Sequence, residues 1–271
     1  MSTLEAGKYA SVNGLRMYYE VQGAGRPLVL VHGGLGVVGM FQQVLPHLAE
    51  ARQVIAVELQ GHGHTADIDR PLSFELMAED VAALLKHLGL PNADVLGYSL
   101  GGGVALQTAI GHPESVRKLV VVSAPCKSDG WYAEVLAGQR AITAEIAKTW
   151  VGSPMHQAYA NVAPRPENWT TLAAKTGQLL GQDYDWSREV AAIQSPTMIV
   201  VGDADSVRTA HAVEFFELLG GGKRDAGLDG SGIPIARLAI LPATTHYDIL
   251  ASPLLGPAVT AFLDAPMPDA E

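Results

Sequence analysis

A serine between glycines, a late histidine and two aspartates lying between them in the chain carry the groups that acyl transfer at neutral pH requires. Ser99 sits in Gly97-Tyr98-Ser99-Leu100-Gly101, after the apolar Val95-Leu96 and before a helical pattern through Val104, Ala105, Thr108 and Ala109. Gly-x-Ser-x-Gly between a strand and a helix is the signature of a nucleophile elbow. Its glycines spare the backbone a Cβ clash, so a strained turn can hold the hydroxyl clear of the surface. The same hydroxyl would lie at a helix N-terminus, where unpaired N–H groups favour a developing negative charge. A serine at such a turn is also an ordinary N-cap, so its partners decide the reading.

A serine hydroxyl needs an adjacent base that is itself oriented by a third group. Of nine histidines, His246 suits best, because it follows an apolar run in a short loop. His87 and His112 fall in or just after helical stretches, His211 on one, and His156 in a helical region. In the order serine, acid, histidine that this type of elbow follows, Gly202-Asp203-Ala204-Asp205 supplies the acid. Either aspartate qualifies by position, since a carboxylate there can support the imidazolium or brace its own turn. Backbone N–H groups of Gly34 and Leu100 are the expected oxyanion donors, because Gly33 and Gly34 have no side chain to block a carbonyl oxygen. His32 is expected to organise that loop.

These residues require elements that end beside one another. Tyr9 to Gln22 reads as a hairpin around Asn13-Gly14. Leu28–Val31, Val54–Val57 and Leu119–Val122 are short, continuous apolar runs, as expected of strands buried on both faces, and Asp94–Tyr98 and Thr197–Val201 read as further strands of the same sheet. Ala236–Leu241 is the last strand. Helical patterns cover Val38 to Leu48, Phe74 to Leu88, Ala210 to Leu219 and Leu254 to Leu263. Strands alternating with helices imply an α/β architecture with a mostly parallel sheet and helices on both faces, whose ligands bind beyond the carboxyl ends of the strands.

Between Pro125 and Ala192 the strand rhythm stops and the pattern is helical, and all four tryptophans fall there. The expected organisation is a core of residues 1–124 and 193–271 with a helical cap over 125–192. Trp131, Met155, Tyr159 and Trp186 are the candidate lining of an apolar acyl or aryl pocket, although large aromatics also serve simply as packing. The glycine-rich stretch from Gly220 to Gly232 follows a helix and lacks Ser or Thr after Lys223, so it reads as a surface loop and not as a phosphate-binding one.

With 271 residues, 48% of them hydrophobic and 17% charged, the chain is globular. A net charge of −10 without a basic cluster argues against nucleic acid and anionic membranes as partners. No apolar stretch approaches the ~20 residues that span a bilayer, and Met1 to Lys8 shows no basic-then-apolar leader pattern. The single cysteine, Cys126, cannot form an internal disulfide and suits a reducing compartment, so a cytoplasmic location is expected.

Together, His32-Gly33-Gly34, Gly61-His62-Gly63, Gly97-Tyr98-Ser99-Leu100-Gly101, Gly202-x-x-Asp205 and His246 resemble the α/β-hydrolase superfamily over nearly the whole chain. The resemblance implies that Ser99, Asp205 and His246 form a catalytic triad, with Asp205 preferred to Asp203, and that Gly34 is an oxyanion donor. Glu58 departs from the Asp that often stands at its position, and the Gly220–Gly232 loop departs in length. An elbow aspartate, used by members that open epoxides or carbon–halogen bonds, is absent. Carboxylic ester hydrolysis is expected, with thioesters, lactones, carbon–carbon cleavage, perhydrolysis and acyl transfer as alternatives. A small-molecule receptor that retains the triad is a further one. No cofactor and no metal are expected: His62-Gly63-His64-Thr65-Ala66-Asp67 only echoes a zinc ligand set, with its aspartate displaced and a histidine absent.

Overall fold

The computed structural model describes residues 7–267, so the leader reading at Met1 to Lys8 lies almost wholly outside the described residues. The chain opens with β1 (Lys8–Val12) and β2 (Leu15–Gln22), joined at Asn13-Gly14, both in positive φ as such a hairpin turn demands. There follow β3 (Arg26–Val31), α1 (Leu45–Ala49), β4 (Arg52–Val57), α2 (Phe74–His87), β5 (Ala93–Tyr98), α3 (Leu100–Gly111) and β6 (Val116–Val122). Five helices come next without a strand: α4 (Ala133–Arg140), α5 (Ala144–Thr149), α6 (Pro154–Ala160), α7 (Trp169–Leu180) and α8 (Ser187–Val190). The chain then returns through β7 (Thr197–Ala204), α9 (Thr209–Leu218), β8 (Arg237–Thr245) and α10 (Leu255–Asp264).

The eight strands form one sheet in the order β1-β2-β4-β3-β5-β6-β7-β8. β2 pairs antiparallel with β1 and β4, and the pairs from β4 to β8 are parallel. Within each apolar run, successive side chains alternate between the two faces of the sheet. Val29 and Val31 of β3 face one core with α2 and α3, while Leu28 and Leu30 face a second with α1 and α10. Burying one such side chain is worth about 1.5–3 kcal/mol, so a run buried on both faces holds the central strands without a solvent-exposed face.

α3 enters this sheet unusually deeply, with every residue from Leu100 to Ala109 buried. The glycines at 101, 102 and 103 make that possible. A Cβ at Gly101 would fall 2.2 Å from the Val31 carbonyl oxygen, and one at Gly103 would fall 2.6 Å from Phe74. The helical stretch between β6 and β7 is tied back to the core by Lys175 of α7, whose ammonium donates to Asp67 Oδ2 at 2.6 Å and to the carbonyls of Ile68 and Arg70. Cys126 is buried among core side chains, and burial pushes its thiol up to about 12, which makes it inert filler.

At the opposite end of the sheet from Ser99, Lys118 of β6 is buried and donates to the carbonyls of Phe262, Leu263 and Ala265 at 2.9, 3.1 and 2.5 Å. These are the orphan acceptors of the α10 C-terminus. Replacing Lys118 with Met removes the donor these carbonyls share and leaves only Arg117, at 3.5 Å from Leu263 O, and is expected to cost about 1–3 kcal/mol in urea unfolding; an unchanged midpoint would contradict this role.

Candidate active site

The turn after β5 places Ser99 at φ 54° and ψ −121°, a conformation that residues with a Cβ rarely adopt. Three features hold it there. The Ser99 N–H donates to Val122 O at 2.9 Å, its carbonyl accepts from Gly102 at 2.8 Å, and the flanking backbone is too close for side chains. A Cβ at Gly97 would fall 2.0 Å from the Gly101 carbonyl oxygen. Ser99 Oγ then lies 3.1 Å from His246 Nε2.

His246 follows directly on β8, and its Nδ1–H donates to Asp205 Oδ1 at 3.0 Å. The two aspartates are set apart by a bulge in β8. The β7–β8 register shifts between Gly202 and Ala204, where a Cβ at Gly202 would meet Thr244 O at 2.0 Å. Asp203 is left exposed and accepts from Thr244 N–H at 3.2 Å, while Asp205 is turned inward and buried. Burial alone would raise the Asp205 pKa, but hydrogen bonds from His246, Ser123 and Gly202 outweigh it and hold the carboxyl below its usual value. Asp205 therefore stands ionised beneath the imidazole.

Two of the supporting groups have no signature in the motif pattern. Ser123, one residue past β6 and at φ 52°, donates to Asp205 Oδ2 at 2.5 Å from a fully buried position. Tyr98, next to the serine, donates its hydroxyl to the His246 carbonyl at 2.7 Å. One hydroxyl fixes the Asp205 carboxylate and the other fixes the backbone of His246. The only sequence signal for Ser123 is its place at a strand end, shared with His32, Ser99 and Asp205.

The loop after β3 runs beside the serine: a Cβ at Gly33 would lie 3.3 Å from Ser99 Cβ. Among the described residues, the N–H groups of Gly34 and Leu100 take no hydrogen-bond acceptor. The loop is held by two buried, neutral histidines. His32 Nδ1–H donates to Gly33 O and its Nε2 accepts from Leu59 N–H at 3.1 Å. His62 Nδ1–H donates to Gln60 O and its Nε2 accepts from Leu35 N–H at 3.1 Å. Burial lowers their pKa values to about 3 and about 4. Glu58 completes the weave by accepting from Val38 N–H at 3.1 Å and from His64 N–H. This gives a physical use to the position where the sequence carries Glu.

A cavity of about 590 Å³ opens onto Ser99, His246 and Gly34. Its walls are largely apolar: Leu35, Trp131, Val135, Ile142, Trp150, Met155, Leu180 and Tyr247. Of the four pocket candidates, Trp131 and Met155 line it, and Trp131 meets the His246 ring edge-on at 5.6 Å. Tyr159 and Trp186 do not line it. Tyr159 is buried against Trp169 and donates to Arg165 O, and Trp186 stacks on Tyr184 and packs edge-on against Phe74. Both anchor the helical stretch instead. Among the described residues no three His, Cys, Asp or Glu side chains gather as a metal site.

Residues 26–220 match the family model described as alpha/beta hydrolase fold. The 2-hydroxymuconate semialdehyde hydrolase of Pseudomonas sp. (strain CF600) is 37% identical over 122 residues, which are 44% of this chain and 43% of that one. The pimeloyl-acyl-carrier-protein methyl ester esterase of Aliivibrio fischeri (strain MJ11) is 28% identical over 223 residues, 73% of this chain and 84% of that one. Among solved structures, E-2-(acetamidomethylene)succinate hydrolase superposes with a TM-score of 0.76 at 19% identity, over 97% of this chain and 100% of that one.

The buried histidines generate a pH prediction. Unfolded, each protonates near 6.5; folded, neither does until about 4 or below. The unfolded chain therefore binds more protons as pH falls from 6.5, and stability is lost at up to about 1.4 kcal/mol per pH unit per histidine. In urea unfolding between pH 6.5 and 5, His62→Gln is expected to flatten this slope by about one proton's worth relative to wild type; equal slopes would contradict the neutral, buried state of His62.

Proposed function

The chain belongs to the alpha/beta hydrolase fold family, and within it we propose a serine hydrolase that cleaves carboxylic esters of small, fairly apolar substrates through an acyl-serine intermediate. The observation that carries this reading is the unbroken relay from Ser99 Oγ through His246 to Asp205, opening onto a largely apolar cavity. His246 Nε2 takes the Ser99 proton as Oγ attacks the ester carbonyl carbon, and Asp205 stabilises the imidazolium that forms. The Gly34 and Leu100 N–H groups receive the oxyanion, which collapses to expel the alcohol with the proton returned from His246. Water, deprotonated by the same imidazole, attacks the acyl-serine and releases the acid.

The five helices between β6 and β7 act as a cap whose apolar face selects the substrate by size. A neutral or weakly charged small molecule suits both the lining and the negative net charge of the protein. The esterase among the relatives supports the reaction class, and no step requires a cofactor.

With p-nitrophenyl esters of increasing acyl length, wild type is expected to turn over the shorter members. Ser99→Ala should lower kcat by at least ~10³-fold and Asp205→Asn by ~10²–10⁴-fold, whereas Asp203→Asn should retain turnover. A Ser99→Ala protein as active as wild type, or a wild type that releases no p-nitrophenol, would reject the esterase reading.

A further inference from the structure

The cavity wall carries a polar group that the relay does not use. Thr176, in the middle of α7, is 1% exposed, and its Oγ1 is buried with no hydrogen-bond partner. Threonine in a helix ordinarily returns its hydroxyl to a carbonyl three or four residues earlier. Here it does not, and an unmade buried hydrogen bond is one of the costlier defects a fold can carry. Valine has the same shape and would avoid the defect.

The location shows what the hydroxyl is suited to meet. Thr176 lines the cavity together with Gly34 and Ser99. Its methyl Cγ2 lies 3.2 Å from the point a Cβ on Gly34 would occupy, so the side chain lies against the loop that receives the oxyanion. The helix is fixed at this turn. Lys175 is anchored to Asp67, Ile68 and Arg70, and Gly177 lies so close to Ile142 that a Cβ would fall 2.1 Å from its carbonyl oxygen. The backbone at Thr176 is thus held, while the side chain has no hydrogen bond that fixes χ1. A change between the two rotamers open to a helical threonine turns the hydroxyl without moving the helix.

We propose that Thr176 is a specificity-determining residue whose hydroxyl donates to an oxygen on the acyl chain, so that the preferred substrates are esters with an ether, hydroxyl or keto oxygen two bonds from the scissile carbonyl carbon. This rests on the serine esterase reading above. Of the four substituents on the tetrahedral carbon, Ser99 Oγ is covalent, the leaving oxygen faces His246, and the oxyanion faces the Gly34 and Leu100 N–H groups. The acyl chain remains for the wall that Thr176 shares with Leu35 and Leu180. An alkyl chain there would leave the hydroxyl unpaired, whereas an acceptor oxygen would pair it.

The test compares p-nitrophenyl methoxyacetate with p-nitrophenyl butanoate, which differ by one oxygen in place of one methylene. Comparing each variant's ratio of kcat/KM for the two esters with the wild-type ratio cancels their difference in intrinsic reactivity. Thr176→Val is expected to lower the methoxyacetate-to-butanoate ratio about tenfold relative to wild type, the worth of one lost hydrogen bond, and Thr176→Ser to restore it. Thr176→Val is also expected to raise the unfolding temperature of the ligand-free protein by ~2–4 °C, because it removes an unpaired buried hydroxyl. A ratio that stays within about twofold of wild type, or an equal loss on both esters, overturns the proposal, as does a lower unfolding temperature. Wild type inactive on both esters would instead reject the esterase reading, and the proposal with it.

Discussion

The structure depends on a single strained turn. Ser99 is held at φ 54° and ψ −121°, a backbone state that costs of order 1–3 kcal/mol and persists only where its surroundings over-determine it. They do so from both sides. β6 binds the Ser99 N–H, α3 receives its carbonyl, and the glycines at 97 and 101 admit backbone where side chains would collide. The outcome is a hydroxyl raised off the sheet with a helix N-terminus behind it, and β7 and β8 then bring Asp205 and His246 to that point.

Around the turn, buried polar groups are matched one by one. Asp205 accepts from His246, Ser123, Gly202 and Val207, which explains how a buried carboxylate remains ionised. His32 and His62 are neutral because burial disfavours the imidazolium, and each ring has one nitrogen as donor and the other as acceptor. The loop carrying Gly34 is thus held by hydrogen bonds from the neighbouring backbone to both imidazoles. The cavity side is different in kind, with apolar walls and an unmatched threonine hydroxyl.

Much of this was legible in the sequence for a specific reason. Strands buried on both faces must be continuous apolar runs, and a parallel sheet gathers their carboxyl ends, so motifs placed just after those runs had to converge. Ser99, His246 and the Gly202–Asp205 segment are of this kind. Composition cannot show a bulge, which is why Asp203 and Asp205 remained open from the residues themselves until the β7–β8 register separated them. Nor does it tell an aromatic that lines a cavity from one that packs beside it: Trp131 and Met155 face the space over Ser99, whereas Tyr159 and Trp186 anchor helices. Ser123, Tyr98 and Thr176 were invisible for a related reason. Ser123 and Tyr98 bond residues far away in the chain, Thr176 lies against the distant Gly34, and nothing local marks any of the three.

The central claim is that Ser99 is a nucleophile because His246 and Asp205 make it one. Its most direct measurement is covalent: wild type and His246→Ala are mixed with an alkyl fluorophosphonate, and the rate and site of labelling are read by intact-protein and peptide mass spectrometry. One adduct per chain is expected, on the peptide carrying Ser99, formed at least ~10³-fold more slowly without the histidine. An unlabelled wild type, an adduct on another residue, or equal rates in the two proteins would contradict it.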